Sequence, residues 1–250
     1  MLQVTYVHHS CFVVELDRTI LVFDYFPADA VDTVHFEGRL PVLDGSKHIY
    51  VFASHSHKDH FSLAVLRLGE RYPQVTFVFS KDIRLGRNYL LRHGIDPSIR
   101  KRIHFVAPVE KYTIDDLSVE TLRSTDAGVA FVVEAEGQTI YHAGDLHWWN
   151  SGEVGELYTQ TYGNAYKREL RRIQNRHIDI AFVVLDPRLQ DAYYLGMEYF
   201  LQHMDVDLVF PMHLWKQYDL IMRLKRRPEL TGLEQKVVMI DRENIIFDLE

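Results

Sequence analysis

The sequence is short of several things, and each shortage excludes something. Its 250 residues include one cysteine, Cys11, so no disulfide can close within the chain, and a reducing cytoplasm is the simplest address. No apolar run approaches the roughly 18 residues needed to span a bilayer. The N-terminus, Met1-Leu-Gln-Val-Thr-Tyr-Val-His8, lacks the basic region of a secretory signal. Basic charge is in deficit: 28 Lys and Arg stand against 35 Asp and Glu, a net charge of -7. Nucleic acid and anionic membrane both call for a basic surface, so neither is expected as a partner. A local basic pocket for a small anionic substrate is still allowed. Glycine and proline are sparse, with 13 and 8 copies, and no Ser/Gly/Pro-rich linker, repeat or low-complexity tract divides the chain. Residues 1–250 therefore read as one domain. What is abundant is histidine, with 14 copies, several of them clustered.

Periodicity places these histidines. Residues 2–7, 11–16 and 19–24 are rich in β-branched and aromatic types and read as strands. A loop with Pro27, Gly38, Pro41 and Asp44-Gly45 follows, and then a buried strand, Ile49–Ala53. Helical spacing predicts helices over 63–71 and from 83 to about 94, with a strand at 75–79 between them. The second half predicts strands at 102–106, 117–123, 129–135 and 138–142 and an amphipathic helix over 153–176. Strand 179–184, helix 191–204, strand 207–210, helix 215–226 and strands near 236–240 and 245–248 complete it. Each half is β-rich first and α/β afterwards, an order that fits an α/β fold of two mixed sheets flanked by helices.

The strand at 49–53 delivers the chain into His55-Ser-His57-Lys-Asp59-His60. In extended chain, residues i and i+2 share a side, so His55 and His57 can grip one ion. Asp59 and His60 can face a second. Imidazole with carboxylate suits Zn²⁺, with Mn²⁺ or Fe²⁺ as alternatives, and one or two ions per chain are expected. Asp59 is the natural group to hold and orient an attacking water. The bland alternative is a polar loop that happens to be rich in histidine. Three histidines and an aspartate in six residues, leaving a buried strand, argue against it.

This segment resembles the His-x-His-x-Asp-His signature of the metallo-β-lactamase superfamily, whose shared fold is an αββα sandwich. Further matches follow in order: Asp24 closing an early strand, Gly144-Asp145 after a strand, and Pro211-Met-His213 after a late one. The resemblance implies that His55, His57, Asp59, His60, Asp145 and His213 are metal ligands, with Asp145 bridging two ions and acting with Asp59 in catalysis. Val7-His-His9-Ser-Cys-Phe12 and Ser124-Thr-Asp-Ala-Gly128 are similar to the branch of simple hydrolases around ascorbate-6-phosphate lactonase. One departure stands out. The family usually supplies a third histidine to the first site from a loop between second-half strands, and none occurs here between His104 and His142. Asp126 is the only strong ligand in the equivalent stretch, and a role in turn chemistry is its alternative.

Other residues have a functional and a plain reading. Asp24 fits hydrogen bonding to the ligand loop. His8 or His9 could approach the site or simply be buried, and His142 reads as structural. Asp179, Asp186 and Asp191 read as caps and turns. Trp148 and Trp149 could wall a pocket. His147, two residues past Asp145, and Arg188, at a strand end where open-sheet sites gather, are expected substrate contacts. Pairing with a structural carboxylate is the alternative for Arg188. Together these readings predict a metal-dependent hydrolase, a zinc enzyme with a binuclear metal site, acting on a small ester, lactone or phosphoester. The rivals are a nuclease or phosphodiesterase of the same fold, and a non-catalytic metal-binding or sensing protein. A homo-oligomer is left open.

Overall fold

Long runs of β-branched and aromatic residues set the architecture. The computed structural model describes residues 2–150 and 156–249. In chain order the strands and α-helices are β1 (Leu2–His8), β2 (Cys11–Glu15), β3 (Thr19–Phe23), β4 (His48–Ala53), α1 (Leu68–Arg71), β5 (Thr76–Ser80), α2 (Arg87–Arg92), β6 (Ile103–Val106), β7 (Lys111–Ile114), β8 (Leu117–Arg123), β9 (Val129–Ala135), β10 (Gln138–His142), α3 (Glu156–Leu170), β11 (His177–Val184), α4 (Leu195–His203), β12 (Asp205–Met212), α5 (Asp219–Lys225) and β13 (Ile245–Leu249). No helix among the described residues is long and apolar enough to cross a membrane.

The chain divides into two compact units, Met1–Ala107 with Glu243–Glu250, and Pro108–Arg242. The first unit holds a seven-stranded sheet in the order β13-β1-β2-β3-β4-β5-β6. Pairing is antiparallel from β13 to β3 and parallel from β3 to β6. The parallel strands β3 and β4 are buried almost end to end, as expected of strands covered on both faces. Val22, Val51, Phe77 and Phe79 lie in a core cluster with Leu66, Ile83 and Leu90. The second unit holds a six-stranded sheet, β12-β11-β10-β9-β8-β7, parallel from β12 to β10 and antiparallel from β10 to β7.

These pairings decide where functional side chains emerge. In the first unit β1, β3, β4 and β5 run in the same direction, so their C-terminal ends share one sheet edge. That edge carries His9, Asp24, the His55–His60 segment and Asp82. In the second unit β8, β10, β11 and β12 likewise run together. Their C-terminal ends carry the Ser124–Gly128 turn, Asp145 with His147, Asp186, and His213. Loops beyond the carboxyl ends of parallel strands are where open α/β sheets place ligand sites.

Several elements differ from the periodicity. The helix expected over 63–71 is a 3-10 turn, Leu63–Arg67, running into the single turn of α1. The helix expected from 83 shortens to α2, because Ile83 closes a turn on Ser80 and Gly86 is extended. Ile83 and Leu85 are nonetheless buried, so apolar spacing there marks a loop packed on the core. Residues 236–240 form no strand among the described residues, only an isolated bridge between Val209 and Val237. β7 went unforeseen. The start of the helix expected at 153–176 lies outside the described residues, and its end is looser: α3 stops at Leu170 and separate turns continue to Arg176.

Candidate metal centre

In the first unit, β4 ends at Ala53 and Ser54 begins the turn into the histidine segment. Asp24 organises this turn. Its carboxylate accepts the Ser54 backbone N–H at 2.7 Å, the Ser54 hydroxyl at 2.6 Å and His60 Nδ1 at 2.7 Å. Asp24, Ser54, His55 and His60 are all fully buried. The Ser54 hydroxyl also lies 2.9 Å from His55 Nδ1. His55 Nε2 is 3.0 Å from His57 Nδ1, and the His55 and His60 rings are 4.1 Å apart. Asp82, at the end of β5, accepts the Ser56 N–H at 2.9 Å. His57 is exposed and Asp59 partly so. His55, His57, Asp59 and His60 are thus gathered at one sheet edge.

In the second unit, His213 takes the place of His60 and Asp186 that of Asp24. Asp186 accepts His213 Nδ1 at 2.7 Å, and both are buried. Its other contacts are charge-assisted or capping. Arg188 donates Nη2 at 2.6 Å and Nε at 3.0 Å, and the Arg188 backbone N–H donates at 2.8 Å. Burial opposes ionisation of Asp186, but the bonds from His213 and Arg188 outweigh it and hold the carboxyl well below the usual carboxylate range. His213 Nε2 then lies 3.4 Å from Asp145 Oδ1, so these two expected ligands meet. Trp149 and Trp215 stand edge-on to the His213 ring, with centroids 6.0 and 5.5 Å away.

The remaining candidates fall as follows. His147 is fully buried beside Trp149, and Gly196 packs on its ring so closely that a Cβ there would overlap it. Burial lowers its pKa to about 4, against the pull of Asp186, so the imidazole is neutral. The backbone around it is pinned by Thr125, whose hydroxyl donates to the His147 carbonyl at 2.7 Å and accepts the His147 N–H at 2.9 Å. Asp126 is exposed in the adjoining turn, its N–H on the Ser124 hydroxyl at 3.1 Å. Arg188 is exposed, with its guanidinium 4.7 Å over the Trp215 ring. His142 is buried and accepts the Gly144 N–H at 3.1 Å, which supports the structural reading.

Two distance classes separate the roles. The carboxylate contacts to Nδ1 of His60 and His213 are 2.7 Å, ordinary charge-assisted hydrogen bonds. Each favours the tautomer with the proton on Nδ1, the arrangement typical of metal-ligating histidine. The contact of His213 Nε2 with Asp145, at 3.4 Å, is too long for a good hydrogen bond. It matches the edge of a tetrahedron: bonds of about 2.0–2.1 Å place donor atoms about 3.3–3.4 Å apart. The donor set, imidazole with carboxylate, fits Zn²⁺ or a neighbouring divalent ion. Backbone strain gathers at these positions too, since His9, Asp24 and His213 have φ of 47, 46 and 67°, uncommon for residues other than glycine. Another group, His177, Asp179 and Asp207, could also hold an ion. It sits at the opposite ends of β11 and β12 and is largely exposed, which is common for acidic groups without one.

Sequence reasoning missed one of these residues in part. Asp186 does cap the turn Pro187–Ala192, but its second oxygen holds His213. Only the Asp-Pro dipeptide signalled anything, and it signalled the cap.

Residues 3–158, more than half of the chain, match the family model described as the beta-lactamase superfamily domain. The chain belongs to that superfamily. A metal-dependent hydrolase of Caldivirga maquilingensis is 26% identical over 151 residues, covering 60% of this chain and 63% of the relative. The match thus spans less than two thirds of that relative's length. Among solved structures, a metallo hydrolase of the archaeon Ignicoccus hospitalis aligns over 100% of this chain and 99% of its own, with TM-score 0.62 and 18% identity. The metallo-β-lactamase fold protein YhfI of Bacillus subtilis aligns over 98% of each chain, with TM-score 0.58 and 12% identity. The fold class is that of the metallo-β-lactamase superfamily.

Proposed function

We propose that the chain is a metal-dependent hydrolase, a single metallo-β-lactamase-like domain whose metal ligands are His55, His57, Asp59 and His60 in the first unit and Asp145 and His213 in the second. The observation that carries this is the pair of buried carboxylate–imidazole contacts, Asp24–His60 and Asp186–His213, each 2.7 Å at Nδ1. Burying two aspartates for structure alone is costly, and both here present an Nε2 at a sheet edge. Zn²⁺ suits the donors best, in one or two ions, and Mn²⁺ or Fe²⁺ would follow if Asp126 adds an oxygen. When bound, such an ion supplies a Lewis acid and a water acidified to a pKa of about 7.

The chain's own residues do the rest. Asp59, partly exposed beside His60, orients the water and accepts its proton. Asp145 is carried on a turn pinned by Thr125. Arg188 pairs through Nε and Nη2 with Asp186, and the outer edge of its exposed guanidinium is the part that would meet an anionic group on the substrate. His147 is neutral and enclosed, so it brings no charge to the site. The substrate class is a small ester, lactone or phosphoester, in keeping with the resemblance of Val7–Phe12 and Ser124–Gly128 to the lactonase branch, and the setting is cytoplasmic.

The test is elemental analysis of purified protein, then turnover of a panel of esters, lactones and phosphodiesters with and without chelator. One or two ions per chain and chelator-sensitive ester or lactone hydrolysis are expected. Turnover of phosphodiesters alone would give the nuclease reading. Bound metal with no turnover on any member would give the sensing one.

A further inference from the structure

We propose that His9 is a metal ligand, so that the first unit holds a three-residue set of its own: His9, Asp59 and His60. The inference rests on the reading above that this chain binds a divalent metal. It adds a donor that neither the histidine segment nor the Gly-Asp and late-histidine matches supply.

The geometry comes from the sheet. β1 and β2 are joined by a tight turn at His9 and Ser10, with a register irregularity between Tyr6 and His8. β1 runs parallel to β3 and β4, so this turn lies at the edge where Asp24 and the histidine segment emerge. His9 is fully buried, although it is a turn residue. Its φ of 47° is the left-handed conformation, which L-residues other than Asn and Asp seldom adopt without compensation. A plain hairpin would use glycine or asparagine here. The side chain points inward, with its ring 5.8 Å from that of His60 in an edge-on arrangement.

The donor atoms have the spacing of shared coordination. His9 Nε2 lies 3.4 Å from Asp59 Oδ2, and His60 Nε2 lies 3.8 Å from the same oxygen. One ligand atom from each of the three residues lies within 4.8 Å of the others. The 3.4 Å separation is beyond the usual limit of about 3.2 Å for an N–H···O bond. It equals the tetrahedral edge of about 3.3–3.4 Å expected for bonds of 2.0–2.1 Å. His8, the neighbouring histidine, has a different part. Its Nε2 is 3.0 Å from the Phe26 carbonyl and its ring stacks on Phe36, so it supplies a built-in control.

The experiment uses the full chain loaded with Co²⁺. Affinity is measured by chelator competition and the coordination sphere by visible absorption, for wild type, His9→Ala, His9→Asn, His60→Ala and His8→Asn. Both His9 variants are expected to lose at least the 10- to 100-fold typical of an outer-shell change and to alter the ligand-field bands, while His8→Asn keeps both. If His9→Asn binds as wild type does, His9 merely donates to Asp59 and the proposal is overturned. If His60→Ala loses metal but both His9 variants keep it, the proposal also fails and the metal reading stands. If wild type binds no Co²⁺, the metal reading itself fails. His9→Cys provides the positive arm should His9→Ala not fold. A thiolate-to-Co²⁺ charge-transfer band is expected only with position 9 in the coordination sphere, and buried Cys11 in wild type supplies the blank. Absence of that band in folded, Co²⁺-loaded His9→Cys overturns the proposal.

Discussion

Replacing Asp24 separates stability from metal binding, because one carboxylate serves both. In the folded chain it accepts the Ser54 N–H, the Ser54 hydroxyl and His60 Nδ1, at 2.7, 2.6 and 2.7 Å, with no exposure. Asp24→Ala orphans the Ser54 N–H and the His60 Nδ1–H in a dry setting. The Ser54 hydroxyl can turn to His55 Nδ1, 2.9 Å away. Two orphaned donors at about 1–3 kcal/mol each cost about 2–6 kcal/mol, a large part of a typical 5–15 kcal/mol stability. Asp24→Asn is gentler on the fold: its carbonyl can keep the Ser54 N–H, and the φ of 46° suits Asn as well as Asp. Its amide nitrogen, however, then faces His60 Nδ1 and favours the tautomer with the proton on Nε2. The ligand atom is blocked, and metal affinity should fall by about 10- to 100-fold, roughly 1.4–2.7 kcal/mol. Urea unfolding of chelated protein and competition titration of metal read the two effects separately. Wild-type affinity in Asp24→Asn, or unfolding of Asp24→Ala within about 1 kcal/mol of wild type, would refute the reasoning.

Two further outcomes follow from the same contacts. His60→Ala and His213→Ala should strip metal far more than His142→Ala, since His142 accepts the Gly144 N–H and sits in a strand; equal metal content after identical dialysis would overturn that ranking. Acid should destabilise the metal-free chain from below about pH 6.5, because buried His8 and His147 have pKa values lowered to about 4 while the unfolded chain takes up protons near 6.5. Their contribution is complete above pH 6.5 and lost as pH falls toward 4, by about 2 kcal/mol per histidine at pH 5. Unfolding free energies that match at pH 7.5 and pH 5 would contradict it, and His8→Asn should remove about half the slope.

How much of this was legible in the sequence depended on range. Strands β3, β4, β9 and β11 are dense enough in Val, Ile and Phe to be read locally, and the His55–His60 segment announces itself by composition. The pairing of β13 with β1, which returns the last strand to the first unit, has no local signal. β7 is an exposed edge strand, buried at Ile114 alone, so no alternation marked it. Asp24 was readable because it closes a strand, whereas the grip of Asp186 on His213 spans 27 residues and hides behind its cap. The sequence does not separate His9 from His8, and for His9 it leaves open both an approach to the site and simple burial. Its burial and the direction of its ring come from the register of β1 against β2, which single-residue propensities do not encode.

Asp126 gives the last prediction, because it bears on the missing third histidine. The Ser124–Gly128 turn sits at the C-terminal end of β8, closed by the Ser124 N–H on the Gly128 carbonyl at 3.4 Å, with Gly128 at φ 67°. Thr125, next to Asp126, is bonded to the carbonyls of Asp145 and His147 at 3.2 and 2.7 Å. The turn is therefore tied to the loop that carries Asp145, and Asp126 rides on it with an exposed side chain. Ser124 and Thr125 are neutral hydroxyls already engaged, so Asp126 is the one charged oxygen donor this turn offers. If the chain binds two ions, Asp126→Ala is expected to lower the metal count toward one. Exposed positions seldom move stability by more than about 0.5 kcal/mol, so the unfolding midpoint should hold while turnover drops. Asp126→Asn should bind intermediately, its amide oxygen being a weaker donor. Thr125→Val separates the turn from the ligand, because it loosens the tie to Asp145 but leaves the Asp126 carboxylate in place. Metal content and turnover equal to wild type in Asp126→Ala, alongside losses in Thr125→Val, would make Asp126 a turn residue.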